Sequence, residues 1–288
     1  MRLALGTVQF GLPYGIANQA GQVSRSVAQN MLRLAKDKGI DTLDTAIAYG
    51  ESETCLGEVG TQGFRLVTKL PAMPEGCSDI NGWIREQVAA SFGRLAVSSV
   101  YGLLLHRPDQ LLKSDGEALF NALHELKASG LVQKIGISVY MPSELDALIP
   151  QYRFDLVQAP FNLIDRRLST SGWLERLKQE GVEIHTRSAF LQGLLLMPRS
   201  AVPAKFAPWA KLWDMWHDWL AQHSVTAVQA CLAYPLSFPG IDRVVVGADS
   251  MSQLEQIIGA ALGGIPDDLP DLRCDDENLI NPAHWSKP

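Results

Sequence analysis

The chain has 288 residues, 25 Lys plus Arg against 31 Asp plus Glu, a formal net charge of −6, 47% hydrophobic and 19% charged residues. That composition excludes a disordered or fibrous chain, and the mild negative charge excludes a broad polyanion-binding surface while leaving room for a local basic pocket. The length suits two modest domains or one large α/β domain.

In chain order, the first strand candidate is LALGT (3–7). Val27, Met31, Leu34 and Ala35 then fall at helical spacing before Gly39, and DTLD (41–44) follows as a second strand. RLVTK (65–69) and VYGLLLH (100–106) are the third and fourth. Leu119, Leu123 and Leu126 make a helix face before Gly130, leading into KIGIS (134–138), and DLVQA (155–159) comes next. Leu174 and Leu177 precede Gly181 and VEIHT (182–186), and RVVVG (243–247) is the eighth strand candidate. At the recurring junction, glycine supplies the left-handed residue that ends a helix, and the apolar run after it reads as a strand buried on both faces. A long helical insertion spans 204–223, and a tail rich in Pro and Asp, 266–288, is expected to be irregular.

Strands alternating with helices at this count predict a (β/α)8 TIM barrel, with 1–288 as a single domain. The competing open doubly wound sheet usually carries a Gly-rich phosphate loop after its first strand. LGTVQFGLPYG does not match that pattern, and no Walker A motif occurs.

Barrel chemistry sits at the carboxyl ends of the strands. The second ends at Asp44 with Tyr49 just beyond, the third at Lys69 and the fourth at His106. A phenol of ordinary pKa about 10 is a poor acid at neutral pH. A nearby ammonium lowers that pKa, a carboxylate keeps the ammonium charged inside an apolar barrel, and an imidazole orients the group that accepts the proton. Taken singly, each residue is more often structural: an Asp that caps, a Lys in solvent, a satisfied His. Their joint occurrence at consecutive strand ends points to proton donation to a carbonyl oxygen, or its reverse.

GIDTLDTAIAYGESETCLG resembles the signature of the aldo-keto reductase family through Gly39, Asp44, Thr45, Ala46, Tyr49, Gly50, Ser52, Glu53 and Gly57. VTK at Lys69, LLLHRPD at His106, KIGIS, VQAPFNLIDR, FLQGLL and VVVG extend the resemblance over nearly the whole chain. It implies a barrel that binds a nicotinamide cofactor and passes hydride to an aldehyde or ketone. Carried over by position, Tyr49 is the general acid, Lys69 its pKa-lowering partner, Asp44 the partner of Lys69, and His106 the orienting group. Thr7, Asp44, Ser138 and Gln158, with Asn162, fall on the nicotinamide side; Leu191 and Gly193 on the loop over the pyrophosphate; Gly247, Asp249, Ser250 and Gln253 at the adenosine end. The LGTVQFGLPYG opening is similar to members acting in carbohydrate pathways, implying a sugar-like or acidic keto substrate.

Three departures from the family pattern carry information. The Asn usual after the serine of the fifth strand is Val139 here. Arg187 occupies the cofactor-side position where an aromatic usually stacks on the nicotinamide. A guanidinium can stack, but against the oxidised ring its charge is unfavourable, so Arg187 is expected either to meet an anionic substrate group or to pair with a structural carboxylate. Asp249 stands where NADPH-binding members place a cation, and Gln256-Ile257 replaces a Glu-Asn pair. The resemblance implies NADP(H); the acidic residue makes NAD(H) the competitor, with the helix N-terminus at Ser250 able to take phosphate in either case.

Trp209, Trp213, Trp216 and Trp219 are expected to pack the inserted helix on the barrel, the first three from one face; a substrate-facing aromatic wall is the alternative. His185 could in principle bind metal but lacks paired-ligand spacing, so no metal is expected. Arg107 is read as a loop anchor. Cys55, Cys77, Cys231 and Cys274 lack metal or redox spacing, no run approaches the roughly 18 apolar residues of a spanning helix, and the N-terminus lacks a signal-peptide core. The expectation is a cytoplasmic NAD(P)H-dependent carbonyl reductase with a small-molecule substrate, monomeric or a small homo-oligomer, without nucleic-acid or membrane partners. The competing classes are a cofactor-binding sensor barrel with little turnover and a metal-dependent hydrolase on the same fold.

Overall fold

The computed structural model describes residues 1–264 and 268–285. Its strands are β1 (Leu3–Gly6), β2 (Thr42–Asp44), β3 (Arg65–Leu70), β4 (Val100–Leu105), β5 (Val132–Ser138), β6 (Leu156–Pro160), β7 (Glu183–Arg187) and β8 (Arg243–Val246). The helices between and around them are α1 (Arg25–Asp37), α2 (Ser52–Val59), α3 (Ile80–Leu95), α4 (Gly116–Ala128), α5 (Pro142–Leu148), α6 (Arg167–Thr170), α7 (Trp173–Gln179), α8 (Ala210–His223), α9 (Ala227–Leu236), α10 (Met251–Ala260) and α11 (Glu277–Ile280). Each strand pairs in parallel with the next, and β8 returns to β1 through Leu3↔Val244 and Leu5↔Val246, so the sheet closes into a barrel. That closing pair rules out the open doubly wound sheet. Among the described residues no helix is long and apolar enough to cross a membrane.

The helix-to-strand junctions have the predicted chemistry. Gly39 adopts φ 77°, its N–H donates to the Lys36 carbonyl, and the N–H of Ile40 donates to that of Ala35 at 2.9 Å. This paired bonding closes the carbonyl end of α1 and turns the chain straight into β2. Gly130 and Gly181 repeat it, with Leu131 N–H to Leu126 O and Val182 N–H to Leu177 O.

Alternation along the strands divides the apolar residues between two compartments. Leu103, Leu105, Ile135, Ile137, Val157 and Ile184 belong to the large core beneath the helices, while Val67, Leu104 and Leu156 form a separate small cluster with Tyr101. The lumen below the mouth also holds a polar knot. Glu183 accepts from the Tyr101 hydroxyl (2.6 Å), from Lys134, and lies 2.7 Å from His185 Nε2.

The 204–223 segment is a 3-10 turn, Ala204–Trp209, running into α8. Its buried tryptophans are Trp213, Trp216 and Trp219, with Trp216 Nε1–H donating to Leu195 O and its ring stacked on Trp219. Trp209, half-buried, also packs against this core. It closes the 3-10 turn and stands directly before α8. The tail differs from expectation, because α11 and a 3-10 turn at Pro282–His284 form in it. Leu272, Leu279 and Ile280 bury their side chains, and the Asp276 carboxylate caps α11. Pro266, Asp267 and residues 286–288, part of the stretch predicted to be irregular, lie outside the described residues.

Candidate active site

The strand register places Asp44, Lys69, Ser138, Gln158 and Arg187 at or near the carboxyl ends of β2, β3, β5, β6 and β7, with His106 directly after β4. Most of them are joined. Lys69 Nζ donates to Asp44 Oδ1 at 2.7 Å and to the Thr45 carbonyl at 2.9 Å. Gln158 Nε2 donates to Asp44 Oδ2 at 2.7 Å, and the Ser138 hydroxyl donates to Gln158 Oε1 at 3.3 Å. The ammonium is 1% exposed, and burial depresses its pKa while the Asp44 charge and hydrogen bond oppose that shift. A buried cation so held needs its carboxylate partner to remain charged.

Tyr49 stands over this pair. Its ring meets that of His106 edge-on, centroids 5.8 Å apart, and Lys69 Nζ lies 5.1 Å from the Tyr49 centroid. The signature residues around it have structural work. Ser52 Oγ donates to the Thr7 carbonyl and meets the hydroxyls of Thr7 and Thr45. The buried Glu53 carboxylate accepts from Thr68, Ser91 and both Nε and Nη2 of Arg94, pinning α2 to β3 and α3. Gly57 lets α2 cross α3, since a Cβ there would sit 2.0 Å from the Arg94 carbonyl. Gly11 crosses the Tyr49 loop equally closely, since a Cβ there would fall 1.9 Å from the Tyr49 carbonyl.

The electrostatics depart from expectation in one respect. Burial first, then the Asp44 charge, raises the Tyr49 pKa above its ordinary value, and the Arg187 charge opposes this. Lys69 is close, but Asp44 at 2.7 Å offsets its field. His106 is pushed down to about 4, by burial first and then by the charges of Lys69 and Arg187, so it is neutral at pH 7.

The remaining candidates fall into two groups. Thr7 and Asn162 are fully buried with their polar atoms engaged. The Thr7 hydroxyl donates to the Asp44 carbonyl, while the Asn162 amide bonds Ser188 O and the N–H groups of Ile164 and Asp165, tying the β6 loop to the β7 loop. They support the site from beneath. Leu191, Gly193, Gly247, Asp249, Ser250 and Gln253 line the β7 and β8 loops. Ser188, Leu191, Gln192 and Gly193 all take positive φ, so the β7 loop is tightly wound. Ser250 caps α10 by accepting from Gln253 N–H, and Asp249 N–H donates to Gln253 Oε1.

The sequence reading missed the part played by the β1–α1 loop. Tyr14 accepts at its hydroxyl from Gln192 Nε2 (3.1 Å), Ala17 packs on Gly193, and Asn18 Nδ2 donates to Asp249 Oδ1 (3.3 Å). This loop therefore joins the β7 and β8 loops over the mouth. Tyr140, just beyond β5, was missed as well; the Arg187 guanidinium lies 4.4 Å from its ring centroid. An aromatic in a Gly-Pro-rich loop was the available signal for Tyr14. His185 is fully buried against Glu183, and among the described residues no group of three or more His, Cys, Asp or Glu could hold a metal.

The aldo/keto reductase family model matches residues 2–268. A D-threo-aldose 1-dehydrogenase from Pseudomonas sp is 27% identical, with 88% of this chain and 89% of that protein covered. An L-glyceraldehyde 3-phosphate reductase from Escherichia coli O157:H7 is 24% identical over 86% and 83%. Among solved structures, an aldo-keto reductase from Bacillus halodurans in its holo form shares the fold with a TM-score of 0.71 at 21% identity, covering 94% of this chain and 89% of that one. With its closed barrel and a family match across nearly its whole length, the chain belongs to the aldo/keto reductase family.

Proposed function

We propose that this chain reduces the carbonyl group of a sugar-like aldehyde or ketone, with Tyr49 as proton donor and Asp44, Lys69 and His106 in support. The reaction class follows from the family: the chain is an oxidoreductase that interconverts carbonyl and alcohol groups with a nicotinamide cofactor. The sugar-like substrate is inferred from relatives named as an aldose dehydrogenase and a glyceraldehyde-phosphate reductase. The observation that carries the residue roles is the continuous set Tyr49, Lys69, Asp44 and Gln158 at one mouth.

The residues present fit a nicotinamide dinucleotide. Gln9 Oε1 is buried without a hydrogen-bond partner, and the Gln9 amide lies against Gly247, where a Cβ would come within 2.4 Å of it. An orphaned acceptor of this kind suits a ligand that brings a donor. Ser138 and Gln158 offer the hydroxyl and amide a carboxamide requires, the β7 loop would hold the pyrophosphate, and Asp249 and Ser250 would hold the adenosine end. When bound, the cofactor supplies or accepts the hydride.

The chain's own residues handle the proton. Tyr49 Oη donates to the carbonyl oxygen as negative charge develops there. Neutral His106 donates a ring N–H to the same oxygen and fixes its direction. Lys69, paired with Asp44, is held with its ammonium 5.1 Å from the centroid of the phenol ring. The elevated pKa keeps Tyr49 protonated between turnovers.

Cofactor preference turns on α10. Residues 247–256 contain no Lys or Arg, while Asp249 and Glu255 are acidic. That charge disfavours a 2′-phosphate and supports NAD(H) over the NADP(H) implied by family resemblance alone. The unpaired cysteines support a reducing, cytoplasmic setting. Nicotinamide absorbance, followed with aldoses, small aldehydes and both cofactors, tests the reading: turnover in the wild type and its loss in Tyr49→Phe are expected, and no turnover with any pairing refutes it.

A further inference from the structure

Six arginines are half-buried: Arg2, Arg94, Arg166, Arg167, Arg187 and Arg243. Four are paired with carboxylates, Arg94 with Glu53, Arg166 with Asp271, Arg167 with Asp165 and Arg243 with Asp41. Arg2 donates to the carbonyls of Leu236, Phe238 and Ile241 at and beyond the end of α9. Arg187 alone among them sits in the candidate active site, and no described carboxylate pairs with it. The nearby Asp44 is committed to Lys69 and Gln158. The alternative drawn from the sequence, a structural carboxylate partner for Arg187, therefore finds none among the described residues.

What does hold Arg187 leaves it available. Nη2 donates to the Val139 carbonyl at 3.0 Å, Nη1 to the Ser188 hydroxyl at 3.3 Å, and one guanidinium face packs on Tyr140. Five N–H donors minus these two bonds leave an edge for another acceptor. The anchors also fix direction. Val139 and Tyr140 follow β5, which lies beyond β6 from β7, so the side chain reaches across the mouth away from β8. Barrel phosphate sites form at the β7–β8 side. With Lys69 offset by Asp44 and His106 neutral, Arg187 is the uncompensated charge at the mouth.

We infer that Arg187 anchors an anionic group, a carboxylate or a phosphate, carried by the carbonyl substrate, and thereby sets which carbonyl compounds the chain prefers. The inference rests on the carbonyl-reducing reading above. A guanidinium fork matches both anions with two parallel hydrogen bonds, and the half-buried site strengthens them. A neutral sugar would leave the charge unanswered.

The test compares kcat/KM within two pairs: succinic semialdehyde against its methyl ester, and glyceraldehyde 3-phosphate against glyceraldehyde. The wild type should prefer the charged member of at least one pair by about tenfold or more, and the pair showing it identifies carboxylate or phosphate. In Arg187→Met that ratio should fall to within about twofold of one, chiefly through KM; Arg187→Lys, which keeps charge but loses the fork, should recover part of it. No preference in either wild-type pair, or a ratio unmoved in Arg187→Met, overturns the inference. So does a loss of cofactor affinity in Arg187→Met as large as the loss in ratio, measured by calorimetry, because the anion bound would then be the cofactor's own. If the wild type reduces nothing, the carbonyl-reducing reading fails. Calorimetric binding of succinate and inorganic phosphate still decides the anion site: binding lost in Arg187→Met supports it, and no wild-type binding refutes it.

Discussion

Lys69 and Asp44 form an ion pair of 2.7 Å in which the ammonium is 1% and the carboxylate 6% exposed. Removing one partner leaves an uncompensated charge in the barrel. Asp44→Ala should therefore cost about 3–5 kcal/mol of stability. Asp44→Leu with Lys69→Met should recover most of that loss while staying inactive. Chemical denaturation alongside turnover measurement checks both, and full stability in Asp44→Ala would deny the pair its role.

Removing the Tyr49 hydroxyl should lower kcat by about 10²- to 10⁴-fold, the usual range for a general acid. Cofactor affinity, read by equilibrium titration, should change little, because the role proposed for the phenol is on the substrate side.

His106 gives a pH prediction with a definite sign. Its folded pKa of about 4 lies below the ordinary 6.5, so between these values the unfolded chain binds more protons. Stability contributed by neutral His106 is present above pH 6.5 and is lost as pH falls toward 4. His106→Asn should flatten the stability curve across that window. A wild-type curve already flat there would contradict the depressed pKa.

Gly11 is a positioning residue for Tyr49. A methyl group there would lie 1.9 Å from the Tyr49 carbonyl and 2.4 Å from the Ser52 nitrogen, both backbone atoms that cannot turn aside. Gly11→Ala should shift the Tyr49 loop and lower kcat at least tenfold, since displacements near 1 Å cost on the order of 10²-fold. An unchanged denaturation midpoint beside the lowered kcat would separate misplacement from general unfolding.

Asp249→Ser should raise the NADP(H)-to-NAD(H) ratio of kcat/KM by roughly tenfold, by removing a negative charge where a 2′-phosphate would sit. An unchanged ratio would place the source of cofactor preference elsewhere.

Much of this was legible in the sequence. Glycines ending helices, short apolar runs and strand-end residues are local signals, and they located the strands, Asp44, Lys69, His106 and the Tyr49 loop. Helix termination and strand burial depend on neighbouring residues, and for these the chain pattern suffices. Tyr14 and Tyr140 were missed because their loops meet the site only when the barrel closes.

The sequence by itself determined the barrel, the residues at its strand ends and a net charge of −6. Only the tertiary structure decided how those charges pair. Whether a charge is offset depends on distances between strands far apart in the chain, and these exist only after folding. Folding commits Asp44 to Lys69, leaves Arg187 without a carboxylate among the described residues, and sets the Arg187 charge against the raised pKa of Tyr49.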